Sequence, residues 1–153
     1  MMKTFNRYRD LTPEKRRAVA RASLLITAIQ AGLAVLPFRH LLKVVYRLAK
    51  PRTARGSRLA RASQFDMDLA VWAVEAAGRR LLSRNPCLPK ALAVLILFRR
   101  AGEDAELHVG VARETEGPFR AHAWIESGGR VVIGGDVPID SYTRLQGLET
   151  RYP

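Results

Sequence analysis

The sequence predicts an α+β fold in which helices occupy the chain to about residue 101 and a small antiparallel sheet follows. Apolar residues recur at helical spacing up to Gly102 and switch to strict alternation after it. A Gly-Gly pair at 128–129 separates two alternating runs, which is a hairpin signal. The 153 residues are 48% hydrophobic, enough for one ordinary core and too much for a disordered chain.

Thr12, Pro13 and Glu14 read as N-cap, N1 and N2 of a first helix running to about Leu36. Its later part, "LLITAIQAGLAVLPF", is apolar for roughly 14 residues, short of the roughly 20 that span a bilayer. A buried or half-buried helix is expected, with a membrane-surface role open because "EKRR" and "FRHLLK" flank it. Pro37 ends it. A second, amphipathic helix covers about 39–50, with Leu41, Leu42, Val45, Tyr46 and Leu48 on one side. "PRTARGS" (51–57) reads as a linker, dividing a helical region 1–57 from a second domain 58–153.

Ser63 with Asp66 three residues on forms a capping-box signal, and Phe65, Leu69, Trp72 and Ala76 then make an apolar stripe ending near Ser83. Asn85 and Pro86 start the next helix, which Gly102 closes behind Arg99 and Arg100. Pro89 lacks an N–H and is tolerated inside a first turn, so the helix begins close to Cys87. In "AELHVGVARE", Leu107, Val109 and Val111 face one way and Glu106, His108 and Gly110 the other. "FRAHAWIE" and "RVVIGGD" continue as strands. The last dozen residues, with Tyr142 and Leu145, are expected to fold back on the sheet.

Charge is placed unevenly. Residues 1–61 carry 15 Lys or Arg against Asp10 and Glu14, a net of +13, whereas 62–153 are close to neutral. An anionic membrane surface, an acidic peptide or protein partner, or a plain solvated face would each account for this. A nucleic-acid surface is the weakest reading, because aromatic residues among the charges are few and no nucleic-acid motif is present. One cysteine makes no intramolecular disulfide, and with no clear cleavable signal peptide the cytoplasm is the expected compartment. One Cys and three scattered His show no ligand spacing, which excludes a structural zinc site of the usual Cys-rich kind. Nucleophilic chemistry at the one thiol requires neither metal nor organic cofactor.

Cys87 at a helix start places sulfur near the positive end of the macrodipole, where the reactive thiolate is favoured. His122 follows on a strand and Asp136 at the end of its hairpin partner. A nucleophilic thiol needs an imidazole in hydrogen-bond reach and a third group to orient that imidazole. A three-residue loop, Gly128-Gly129-Arg130, pairs Ser127 with Val131, Glu126 with Val132 and Ile125 with Ile133, and sets His122 opposite Asp136. A two-residue loop sets His122 opposite Gly135 and turns Asp136 to the other face. The three-residue loop is therefore expected. Asp140 is the alternative acid, and His108 and His40 are weaker alternatives to His122. The same residues admit a structural reading: a lone Cys is often a small buried hydrophobe, and Asp after Gly-Gly is often a turn residue.

The segments "CLPKALAVLILFRRAGEDAELHVGV", "FRAHAWIE" and "GGRVVIGGD" resemble the transglutaminase-like cysteine peptidases of lasso peptide biosynthesis. The likeness extends to the basic helical region before them. It implies a papain/transglutaminase-like core in which a Cys-bearing helix packs on a small antiparallel sheet. Residue by residue, it puts the nucleophile at Cys87, the base at His122 and the orienting acid at Asp136. Lys90 stands where the family often has Arg, a change expected to matter little at an exposed helix position. The implied function is removal of the leader from a ribosomally made precursor peptide. The resemblance also implies a separate leader-recognition protein and a downstream ATP-dependent cyclase. The basic charge and the flanked apolar helix, not the resemblance, leave a peripheral membrane contact through the N-terminal helices open. Acyl transfer on a peptide, or a non-catalytic basic adaptor binding an acidic peptide or membrane surface, remain the other classes.

Overall fold

Local capping sets the start of the helical part. Thr12 Oγ1 accepts the Lys15 N–H at 3.4 Å and Pro13 fills the first helical position, starting α1 (Pro13–Val35). The computed structural model describes residues 11–51, 66–82, 86–113 and 119–145. In α1, Val19, Ala22, Ile26 and Ile29 recur every three or four residues and are buried. Pro37 caps α2 (Phe38–Ala49), whose inward stripe is Leu41, Leu42, Val45, Tyr46 and Ala49. Leu48, expected on that side, sits at the edge of the stripe and is exposed.

Asp66 is itself the cap of α3 (Met67–Leu81), its carboxylate accepting the Leu69 N–H at 2.9 Å. This corrects the capping-box expectation; Ser63 and Phe65 lie outside the described residues, as do positions 52–57 of the expected linker. The buried line of α3 is Ala70, Ala73, Val74 and Ala77, while Leu69, Trp72 and Ala76 flank it half-buried. Small residues win the inner face because α1 packs closely along it.

The centre is α4 (Cys87–Ala101). Ala91 to Ile96 and Phe98 are all buried, because α1, α2 and α3 cover one side of this helix and the sheet covers the other. A single apolar cluster runs from Val19 of α1 through α2, α3 and α4 to Ile133. The helices before position 57 thus share their core with the cysteine helix. Arg100 Nε donates to Leu48 O at 2.7 Å and joins the ends of α4 and α2.

The strands are β1 (Glu106–Arg113), β2 (Phe119–Ser127), β3 (Arg130–Ile133) and β4 (Thr143–Arg144), antiparallel in the order β3-β2-β1-β4. Leu107 pairs with Ile125 and Val109 with Ala123, so these side chains share the face toward α4. His108 pairs with Trp124 and Gly110 with His122 on the opposite face. The chain does fold back after the hairpin: Tyr142 and β4 return along β1, Gly110 pairing with Arg144.

The hairpin differs from expectation. Its turn has two residues, Gly128 and Gly129, with φ of 56° and 73°, and Ser127 pairs with Arg130. Two successive positive φ values are what a tight primed turn needs, and glycine adopts them without strain. Val132 is then an extra residue, a bulge between the Glu126–Val131 and Ile125–Ile133 pairs. The bulge restores the register that a longer loop would have produced, by a different route. Pairing ends at Ile133, so the expected cross-strand pair of His122 with Asp136 does not form.

By length and composition, α1 is long and apolar enough to cross a membrane, with an 18-residue window of mean hydropathy 1.6. Counting from Leu24 underestimates it, since Ala18, Val19, Ala20, Ala22 and Ser23 extend the run backwards with only Arg21 among them. Its inner face is nevertheless built into the core.

Candidate active site

Cys87 is the first residue of α4, preceded by Pro86 as N-cap with no side-chain capping bond. The first N–H groups of a helix have no intrahelical acceptor. Pro89 removes one of them, leaving those of Cys87 and Leu88 pointing out of the helix end. The Ala123 N–H donates to Cys87 Sγ at 3.3 Å. Ala123 lies two residues from Ile125, the last β2 residue to pair with β3, and so on the same ladder edge. Because β3 stops short, this edge N–H meets sulfur instead of a strand carbonyl. Such a donor interacts more strongly with a thiolate than with a thiol.

Gly134 ends the strand with φ +83°. A Cβ there would lie 2.8 Å from Ala123 O and from Trp124 Cβ, so only glycine permits this approach. The close approach brings Gly134 O to 2.7 Å from His122 Nε2. A carbonyl only accepts, so Nε2 carries the proton and the neutral ring keeps its lone pair on Nδ1. His122 is buried, stacked against Trp124 at 6.2 Å between ring centroids, with Tyr142 tilted against it at 5.4 Å. The imidazole is thereby held by one hydrogen bond and two aromatic rings.

Cys87, His122, Gly134 and Asp136 line one cleft of about 270 Å³, open at the edge of the sheet where β3 ends. The structure therefore brings the three predicted residues to one place. Asp136 stands exposed at its rim, and the bond to Nε2 comes from Gly134. Asp140 lies in a short 3₁₀ turn (Ile139–Ser141) and does not line the cleft. His40 is exposed on α2. His108 is buried on the same sheet face as His122, with Nε2 3.4 Å from Glu126 and Nδ1 3.4 Å from Arg144.

Three contributors escaped the sequence reading. Lys90, expected to be exposed, is buried beside Cys87 in the cleft, its Nζ 3.1 Å from Glu75 Oε1 of α3. A buried ammonium needs such a partner, but nothing in the sequence pairs α3 with α4 at that point. Gly134 carried a signal, the first of two glycines at a strand end, where glycine marks close backbone approach. Tyr142, expected back on the sheet, carried none that would set it against His122.

Behind His122, Trp124 is fully buried and its Nε1–H donates to Glu126 Oε1 at 2.9 Å. Arg144 donates to the same oxygen at 2.7 Å. Burial pushes the Glu126 carboxyl up, but the indole donor, the His108 charge and Arg144 outweigh it and hold it below the usual range.

A thiol on a helix N-terminus, a histidine whose Nδ1 keeps a lone pair on an adjacent strand and N–H groups beside the sulfur that have no intrahelical acceptor are compatible with acyl chemistry, either peptide hydrolysis or acyl transfer. No curated protein and no solved structure matches the chain. The family model described as the Transglutaminase-like superfamily matches residues 32–147, from the last turn of α1 through the whole cleft and past β4. With that match over more than half its length, and the helix-on-sheet core to accompany it, the chain belongs to the transglutaminase-like superfamily.

Proposed function

We propose that this protein is a cysteine peptidase that removes the leader from a lasso precursor peptide, working in the cytoplasm. The observation that carries the chemistry is the shared cleft in which Cys87 Sγ accepts the Ala123 N–H and His122 is oriented through Nε2. The lasso assignment rests on the segments around Cys87, His122 and Asp136 that resemble the leader peptidases. Partners follow from the same resemblance: a separate leader-recognition protein, and a cyclase that receives the freed core.

The Cys87 proton passes to His122 Nδ1 as sulfur attacks the scissile carbonyl. The Cys87 and Leu88 N–H groups receive the oxyanion. Collapse breaks the C–N bond, the imidazolium gives its proton to the leaving amine, and a thioester remains on Cys87. Water, deprotonated by His122, then releases the new carboxylate and restores the thiol. Asp136, exposed at the rim of the same cleft, would support the imidazolium charge.

The test is incubation of precursor peptide and leader-recognition protein with wild type or Cys87→Ala, followed by mass spectrometry. Wild type should yield leader and core whose masses sum to the precursor plus one water. An amine adduct in place of water would make the protein an acyltransferase. Full cleavage by folded Cys87→Ala would overturn the thiol mechanism.

A further inference from the structure

The outer face of α1 breaks the rule that a helix on a protein surface turns polar residues to water. Ala20, Leu24, Thr27, Ala28, Ala31 and Val35 form its exposed stripe, without a charge, along about 22 Å of helix. Leu24 is 73% and Val35 80% exposed, and Leu36 and Phe38 continue the apolar surface round the turn into α2. Cations border the stripe at both ends: Arg16, Arg17 and Arg21 on α1, then Arg39, Lys43 and Arg47 on the outside of α2, all exposed. From Lys15 to Phe65 the chain has 12 basic residues and no acidic one.

We infer that the α1–α2 hairpin seats the protein on an anionic lipid surface, with α1 lying in the interface. Uncharged apolar side chains would enter the acyl boundary while the flanking Arg and Lys meet lipid phosphates. Spanning is ruled out by the core, since Val19, Ala22, Ile26 and Ile29 on the opposite side of α1 are committed to α3 and α4. The charge decides for lipid over an apolar protein surface: with Glu14 the one acid in the first turn of α1, the border is otherwise cationic and matches a surface of one sign, which anionic lipids present uniformly. This seat is separate from the cleft, which opens where β3 ends.

The test is sedimentation of the full-length protein with vesicles of phosphatidylcholine alone, or with one-third phosphatidylglycerol, at low salt. Binding should be strong only with phosphatidylglycerol and should weaken steeply at 0.5 M salt. Leu24→Asp/Val35→Asp and, separately, Arg39→Glu/Lys43→Glu should each reduce partitioning about tenfold or more, because a charge at the membrane surface is worth about fivefold. Both pairs are exposed, so circular dichroism should match wild type, and Cys87→Ala should bind as wild type does. Absence of binding to phosphatidylglycerol vesicles overturns the inference. So does charge-only binding, in which Leu24→Asp/Val35→Asp partitions like wild type, and so does capture by the leader-recognition protein that the same substitutions abolish while vesicle binding is unchanged.

Discussion

The two faces of the sheet are built from different chemistry. Toward α4, Leu107, Ala123, Ile125 and Ile133 present apolar surface, nearly all of it buried. On the other side of the same strands, His108, His122, Trp124, Glu126, Tyr142 and Arg144 form a layer of stacked rings joined by charged hydrogen bonds. The first face holds the fold together by area removed from water. The second buries Trp124 as well, and it fixes the direction of one imidazole through hydrogen bonds whose net contribution to stability is small because water competes for them. Cys87 reaches the cleft from the apolar side and His122 from the polar side, so the site exists only at the sheet edge where both faces are accessible.

Substitutions should separate the two roles. His122→Ala should lower kcat/KM by about a thousandfold, the scale of a lost general base, with an unfolding midpoint near that of wild type. Ile125→Ala, on the facing side of the same strand, should do the reverse. It should cost about 2–5 kcal/mol in urea unfolding while kcat per folded molecule stays within a small factor. Gly134→Ala puts a Cβ 2.8 Å from Ala123 O and should displace the carbonyl that orients His122. A loss of about ten- to a hundredfold in kcat is expected, with KM nearly unchanged, whereas Gly135→Ala, at an ordinary φ, should stay active. Equal activity of the two alanine variants would remove Gly134 from its orienting role.

The smallest effect concerns Glu126. Its carboxyl is held below its ordinary value, so it stabilises the fold above the unfolded-state pKa and loses that contribution as pH falls through the lower, folded-state value. Stability measured from pH 6 downward should therefore fall more in wild type than in Glu126→Gln, by no more than about 1 kcal/mol, since the group is partly solvated. Parallel curves would mean that the polar layer does not depend on this charge.

Where an element is set by its own few residues, the sequence revealed it. Thr12 with Pro13, Pro37, Pro86 and Gly102 mark the helix ends to within a residue or two, because caps act locally. Cys87 and His122 were legible as reactive types at the starts and faces of readable elements. The bulge at Val132 was not: a two-residue turn followed by a one-residue bulge leaves the same distant register as a three-residue loop, and only the pairing of Ile133 with Ile125 chooses how the extra residue is absorbed. Burial of Lys90 depends on Glu75 fifteen residues away on another helix. Tyr142 reaches His122 through a two-residue strand too short to carry a pattern.

The most direct test of the account is the rate at which iodoacetamide alkylates Cys87 at pH 7 in wild type and His122→Ala, followed by intact-protein mass spectrometry. As the chain has one cysteine, every adduct reports this site. A sulfur activated by His122 should be alkylated at least tenfold faster in wild type than in the variant, with Gly134→Ala between them. Equal rates in wild type and His122→Ala would contradict the claim that the polar face of the sheet activates the cysteine.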